Sequence, residues 1–392
     1  MTSRLPAVLG GSPAFPAGLP LVRPDLPDTA AIARRLQQVL DSGILTNGPS
    51  VRRLEEAVAE YVRVDHVVAV SSCTAGLMLV LQACGLSGRV VLPSFTFAAS
   101  AHAVHWAGGC PSFADIEPLT LTLDPQDAAR RLDGAESLFA THLYGTPCDV
   151  ERLQELARGA SVPLLFDAAH ALGSRRRGRL VGGFGTAEVF SLSPTKVTVA
   201  GEGGLITTND GALAEACRYG RDYGNPGDYD CLFPGLNARM SELHATVALA
   251  SLADLDERVA HRTALARRVH DGLSSVCDID FPKVSPGDTS TFKDLTVLVA
   301  SERFGLSAVQ LATALRGEGI DTRRYYHPPV HRQKAYVNLA QAEPLPVTDW
   351  AAERVLTLPL WSHMTSADID RVVGAVARIG THAERVHDAL VG

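Results

Sequence analysis

Between residues 67 and 207 short β-branched or aliphatic runs recur, at 67–70, 90–92, 138–141, 164–166, 188–191 and 205–207. Most are separated by segments of helical length, such as 74–84, 98–106 and 149–158. Nothing else in the chain constrains the fold as tightly. Continuous apolar runs alternating with helices form a largely parallel sheet covered by helices on both faces. Upstream, Asp28 stands at an N-cap position before 29–41, where Ile32, Leu36, Val39 and Leu40 share one helical face. A second amphipathic helix is expected over 50–62, and 241–273 reads as one long helix.

A Pro/Gly/Ser-rich stretch at 282–289 looks like a boundary. Beyond it lie an alternating run at 295–299, helices near 307–316 and 365–379, and a loop rich in His, Tyr and Pro. That pattern is α+β. The expected organisation is therefore α/β, with an N-terminal segment and large domain over 1–274 and a smaller α+β domain over 275–392.

Composition excludes several classes of function. The net charge is −7 and only 20% of residues are charged, with no long basic block, so nucleic acid is not an expected partner. The cluster Arg175-Arg176-Arg177-Gly178-Arg179 reads as a solvated turn. No run approaches the roughly 18 apolar residues of a membrane span. Residues 1–20 lack the charged-then-apolar layout of a signal peptide, so the cytoplasm is the expected location. Seven cysteines, Cys277 among them, never fall in a C-x-x-C pair, which fits reduced thiols.

Only four lysines occur: Lys196, Lys283, Lys293 and Lys334. A Lys can form a Schiff base and an Arg, always protonated, cannot. Lys196 follows Phe190-Ser191 and precedes Gly201-Glu202-Gly203-Gly204. It lies five residues after a strand-end serine able to hold a phosphate. Two further strand ends carry chemistry. Ser71-Ser72-Cys73-Thr74-Ala75-Gly76 turns from strand to helix, either as a tight connection or as a phosphate site. Asp167 ends an apolar run, either capping the next helix or keeping the nitrogen of a bound pyridine ring protonated. His170, one turn on, is either a satisfied core histidine or a brace for that ring. No glycine run fits a dinucleotide fingerprint. The prolines of His327-Pro328-Pro329-Val330-His331 preclude the helix a metal-binding pair would need, so no metal is expected.

Taken with Leu45-Thr46-Asn47-Gly48-Pro49, Pro93-Ser94-Phe95-Thr96-Phe97, His142-Leu143-Tyr144-Gly145, Asp167-Ala168-Ala169-His170 and Gly235-Leu236-Asn237-Ala238-Arg239, the chain resembles one known family over roughly residues 20 to 385. That family is the DegT/DnrJ/EryC1/StrS group of sugar aminotransferases, which use pyridoxal 5'-phosphate and have the aspartate aminotransferase-like fold (PLP fold type I). The resemblance implies that Lys196 binds the cofactor covalently and shuttles the proton. It implies that Asp167 pairs with the pyridine nitrogen, with Phe97 stacked on the ring and His170 where the family often has Gln. Thr74, Ala75 and Ser191 would hold the phosphate, with Cys73 a further cofactor contact, and Asn237 would reach the phosphate from the second subunit of a homodimer with shared active sites. A related branch of sugar 3-dehydrases carries His at the lysine position, so Lys196 speaks for transamination. The implied substrates are L-glutamate or L-glutamine and a nucleotide-linked keto-sugar, first a dTDP-4-keto-6-deoxyhexose. A 3-keto sugar or the cyclitol scyllo-inosose is the alternative, and a non-catalytic regulator on the same fold is the remote one. Candidate substrate contacts are Thr46, Asn47, Tyr144, Tyr325, Tyr326, His327 and His331. Lys293-Asp294 departs from the aromatic/His pair that resemblance leads one to expect there.

Overall fold

The computed structural model describes residues 5–26, 28–274, 278–339 and 343–391. Helices α1 (Thr29–Ser42) and α2 (Pro49–Val62) precede the first strand. The Asp28 side chain caps α1, accepting from the Ala31 amide at 2.9 Å. The central sheet then collects β1 (His66–Val70), β2 (Arg89–Pro93), β3 (Cys110–Ala114), β4 (Ser137–Thr141), β5 (Leu164–Asp167), β6 (Ala187–Ser191) and β7 (Gly204–Thr208). Their order is β1-β7-β6-β5-β4-β2-β3. From β6 to β3 the pairings are parallel, whereas β7 runs antiparallel to both of its neighbours. All six expected runs are strands. The seventh, β3, carries Pro111 and Ser112 and so lacks a β-branched signature; it sits at the sheet edge, where a proline costs least.

Period-two alternation divides the sheet's side chains between two cores. Val67, Ala69, Leu164, Phe166, Phe190 and Leu205 pack on one face with α2. Val68, Val70, Leu165, Val189 and Ile206 pack on the other, with α3 (Cys73–Ala83) and α4 (Ala98–Trp106). Each strand is thus pinned in register, since a slip of one residue would exchange its faces.

The single helix expected over 241–273 is two, α5 (Glu242–Leu252) and α6 (Leu255–Ser274). No Pro or Gly marks the break. It arises because the Arg258 guanidinium donates to the Ser251 carbonyl, which a continuous helix would hydrogen-bond internally, while the Arg258 amide starts the new helix by donating to the Asp254 carbonyl at 3.1 Å.

A second, antiparallel sheet joins β8 (Ile279–Asp280), β9 (Leu295–Val299) and β10 (Val355–Leu358). Its core includes Leu265, Val269 and Leu273 of α6, together with Phe15 and Leu19 from the N-terminal segment. The boundary expected at 275 falls on 275–277, outside the described residues, as does Cys277. The six described cysteines are free thiols. Among the described residues no helix is long and apolar enough to cross a membrane. The basic cluster is only partly a solvated turn: Arg176 is buried, held by Asp149 and Asp288 at 2.9 Å and Glu151 at 2.6 Å.

Candidate active site

The carboxyl ends of β4, β5 and β6 and the amino end of α3 converge on a cavity of about 220 Å³. Ligands bind at this edge of open α/β sheets. Ser72, Cys73, Thr74, Phe97, Thr141, Asp167, His170, Ser191, Lys196, Glu202 and Tyr326 all line it. Eight of the sequence-derived candidates thereby meet in one place.

Asp167 is 4% exposed. Its Oδ2 accepts from the Ser100 hydroxyl at 2.6 Å and its Oδ1 from the Ala169 amide at 3.1 Å. Thr96 extends the chain, its hydroxyl lying 3.2 Å from Ser100 Oγ and 3.1 Å from Thr141 Oγ1. A buried carboxylate held this way can bear its charge only with such donors or a cationic partner. No helix follows β5, so Asp167 is not a helix cap; it braces the turn after the strand and lines the cavity.

Lys196 is positioned by a tight turn in which its amide donates to the Ser193 carbonyl at 3.0 Å. Burial of its ammonium end, reinforced by the Lys293 charge, draws its pKa down to about 8, against the pull of Asp294, Cys73 and Asp167. A neutral amine is accordingly available near physiological pH, which is what a Schiff-base nucleophile requires. The His170 imidazole is held neutral, its pKa well below the usual range through burial and the charges of Lys196 and Lys293.

At the start of α3 the Ser72 side chain accepts from the Ala75 amide at 3.1 Å, and its carbonyl from the Gly76 amide at 3.0 Å. First-turn amides have no partner within their own helix. Those of Cys73 and Thr74 are left for an anion, with the Ser191 hydroxyl nearby in the same cavity wall. Ala75, expected among the phosphate ligands, does not line the cavity and its amide is already engaged. Two of the glycines after Lys196 are required by close contacts: a Cβ on Gly203 would stand 2.5 Å from Met240 Cε, and one on Gly204 2.6 Å from the Cys73 amide nitrogen.

A lysine of lowered pKa, a buried carboxylate and an anion-ready helix start define the site; one comparison names it. Residues 27–377 match the model of the DegT/DnrJ/EryC1/StrS aminotransferase family. The chain belongs to that family. This aminotransferase is 36% identical, over 92% of its length and 93% of the relative's, to dTDP-3-amino-3,4,6-trideoxy-alpha-D-glucose transaminase of Streptomyces venezuelae. It is 32% identical, over 90% and 95%, to a protein of Geobacillus stearothermophilus named pleiotropic regulatory protein. Among solved structures it is similar to DesI with its TDP-sugar product, at a TM-score of 0.93, 35% identity and 99% coverage of both chains.

The aminotransferase is dependent on pyridoxal 5'-phosphate, and the cavity fits that group. It offers an anion site, a buried acceptor for a ring nitrogen and a lysine of lowered pKa.

Two of the eight stand toward the opening, and the remaining candidates lie elsewhere. Phe97, 60% exposed, stands at the cavity mouth with its ring 6.2 Å from that of Tyr326. Tyr144 stacks behind Tyr326 at 6.4 Å, and its hydroxyl donates to the Tyr325 carbonyl. Tyr325 and Tyr144 do not line the cavity. His331 does not line the cavity either, and its ring nitrogens are engaged, Nδ1 at 2.6 Å from Ser94 Oγ and Nε2 at 3.3 Å from Asp349. His327 faces Glu353 at 3.6 Å. Thr46 and Asn47 are held against Ser241 and Met240, and Asn237 is exposed beside Asp222; none of the three reaches the cavity of its own chain. A larger open groove, about 1430 Å³, runs past Tyr144, Lys283 and Asp294 but contains neither Lys196 nor Asp167.

Sequence reasoning missed Ser100, Thr96, Thr141 and Glu242. Of these only Ser100 left a trace, a lone hydroxyl within the Ala98-Ala99-Ser100-Ala101 run. Glu242 reaches across from α5 to accept from the amides of Gly48, Ser50 and Val51 at 2.9, 2.7 and 2.8 Å, so it caps α2 and fixes the Thr46–Asn47 loop from behind.

Proposed function

We propose that this aminotransferase moves the amino group of L-glutamate or L-glutamine to a nucleotide-linked keto-sugar, in the first place a dTDP-4-keto-6-deoxyhexose. The observation that carries this reading is the convergence of Lys196 and Asp167 on one small cavity. The sugar itself rests on the family resemblance and on relatives whose names contain dTDP- or TDP-sugars.

Bound pyridoxal phosphate supplies a carrier for the amino group and a sink for the electrons of the broken C–H bond. The chain's residues do the rest. Asp167, fixed by Ser100 and the Ala169 amide, holds the ring nitrogen protonated, and the amides of Cys73 and Thr74 with the Ser191 hydroxyl hold the phosphate. Phe97 covers a ring face at the mouth. Lys196 takes the proton from the donor's α-carbon in the first half-reaction and returns one to the sugar carbon in the second. Its lowered pKa suits both tasks near neutral pH.

Asn237 completes the phosphate site of a second copy in a homodimer. Its exposure, and the exposed Leu40, Ile44, Leu45 and Phe97, support that assembly. Thr46 and Asn47 contact the substrate across the same interface.

A second reading, amination at C3, is favoured by the 3-amino product in the name of the Streptomyces relative. A keto-cyclitol such as scyllo-inosose would use the same cofactor residues. The regulator reading draws on the name of the Geobacillus relative, and the Lys196–Asp167 set speaks against it. One experiment separates these: load the protein with L-glutamate, remove the donor, and offer 4-keto-hexose, 3-keto-hexose and inosose acceptors in turn. Amination of the nucleotide-linked 4-keto sugar is expected. Amination of another acceptor alone would overturn the choice of sugar, and amination of none would overturn the enzyme.

A further inference from the structure

Two buried polar atoms face each other beside the cofactor cavity. His170 Nδ1 and Asp294 Oδ2 are 3.9 Å apart, and neither has a hydrogen-bond partner among the described residues. A buried polar group left without a partner is costly, so closure of the pair by a small rotation is favoured.

The surroundings hold both groups where they are. Thr291 Oγ1 donates to the His170 carbonyl at 2.6 Å. It can come that close to the chain there because Gly145, at φ 95°, has no Cβ; one would stand 1.9 Å from Thr291 Oγ1. Arg262, itself buried, donates to the carbonyls of Thr291, Lys293 and Leu360 at 3.1 Å and to that of Phe292 at 2.5 Å. The Lys293 ammonium holds the other carboxylate oxygen, Oδ1, at 2.6 Å. Asp294 therefore has one oxygen neutralised and the other aimed at the histidine.

We propose, building on the reading of Lys196 and Asp167 above, that Asp294 is a positioning residue for His170. Its Oδ2 accepts the Nδ1 proton, which selects one neutral tautomer and leaves Nε2, the opposite ring nitrogen, as an acceptor toward the cavity that His170 lines. The tautomer of a histidine is set by the partner of its other nitrogen. A neutral ring with an accepting Nε2 can take a hydrogen bond from a cofactor or substrate hydroxyl; the other tautomer would have to donate one. His170 keeps its neutrality through burial and the neighbouring Lys196 and Lys293 charges. The Lys293-Asp294 sequence, unexpected at this place, thereby acquires a role together with the unexpected histidine.

The test uses protein labelled with ¹⁵N at histidine, with and without pyridoxal phosphate, and the variants D294N, H170Q and H170Q/D294N. Long-range ¹H–¹⁵N spectra, assigned by the loss of signals in H170Q, should show His170 protonated at Nδ1 in the unsubstituted protein. In D294N a mixture of tautomers is expected, with kcat lower by about tenfold, a coupling of the size seen between contacting groups, and KM for the amino donor within about twofold. Adding D294N to H170Q should lower kcat no further. An Nε2-protonated His170 in the unsubstituted protein, an unchanged tautomer in D294N, or an equal loss from D294N in both backgrounds would each overturn the proposal. The visible band of bound cofactor is read alongside: its absence from the unsubstituted protein would count against the Lys196 reading, not against this pair.

Discussion

Ser100 donates a 2.6 Å hydrogen bond to Asp167 Oδ2, joining the first turn of α4 to the end of β5. Both residues are buried, at 1% and 4% exposure, so the bond forms in a medium where water does not compete. It sets the direction in which the carboxylate presents its charge to the cavity. Ser100→Ala should therefore weaken cofactor binding by about tenfold, the loss of one hydrogen bond to a charged group. Titration of the cofactor-free protein with pyridoxal phosphate, followed by its visible absorption, reads this directly; equal affinity would detach Ser100 from the site.

Removing the charge of Asp167 goes further. In Asp167→Asn the shape remains but the ring nitrogen is no longer held protonated. A fall in kcat of about a hundredfold or more is expected, with much less change in KM for the amino donor, as for an interaction made chiefly in the transition state. Retention of kcat in this variant would reassign Asp167 to bracing the turn after β5 alone.

The lowered pKa of Lys196 has a signed consequence. A lysine reacts as the neutral amine, and the fraction neutral rises as pH climbs through its pKa. With that pKa near 8 rather than at the ordinary 10.5, condensation of cofactor with the apoprotein should accelerate up to about pH 8 and level off above it. Lys293→Met removes a neighbouring positive charge and frees Asp294, and both changes favour protonation of Lys196. The midpoint should move to higher pH. A shift to lower pH would contradict the electrostatic assignment.

Glu242 offers a prediction on stability. Its carboxylate satisfies three amides at the start of α2 from within the core. Glu242→Ala leaves them buried and unpaired, at a cost of about 2–4 kcal/mol, which urea denaturation would register. The Thr46–Asn47 loop loses its anchor in the same variant, so KM for the sugar should rise more than KM for the amino donor.

How much of this was legible in the sequence follows from how local each interaction is. Lys196, Ser191 and Asp167 sit at or just beyond strand ends, so spacing marked each as a candidate and the family resemblance joined them in one site. Asp28 capping α1 and the six apolar strands are equally local. What escaped depends on contacts distant in the chain: Ser100 reaches Asp167 across 67 residues, and Glu242 reaches Gly48 across 194. The break after Leu252 has no Pro or Gly to announce it, only an arginine that captures a carbonyl. The partners of His331 are equally distant: Ser94, 237 residues away, and Asp349 engage its ring. Arg176 looked solvated within its basic run, but three carboxylates from other segments bury it.

The account stands or falls on which lysine carries the cofactor. Borohydride treatment of the holoprotein should trap the covalent link, and peptide mass spectrometry then locates it among four candidates. A phosphopyridoxyl group on Lys196, and none on Lys283, Lys293 or Lys334, is the predicted result. A modification confined to another lysine, or no modification in protein that has bound the cofactor, would contradict it.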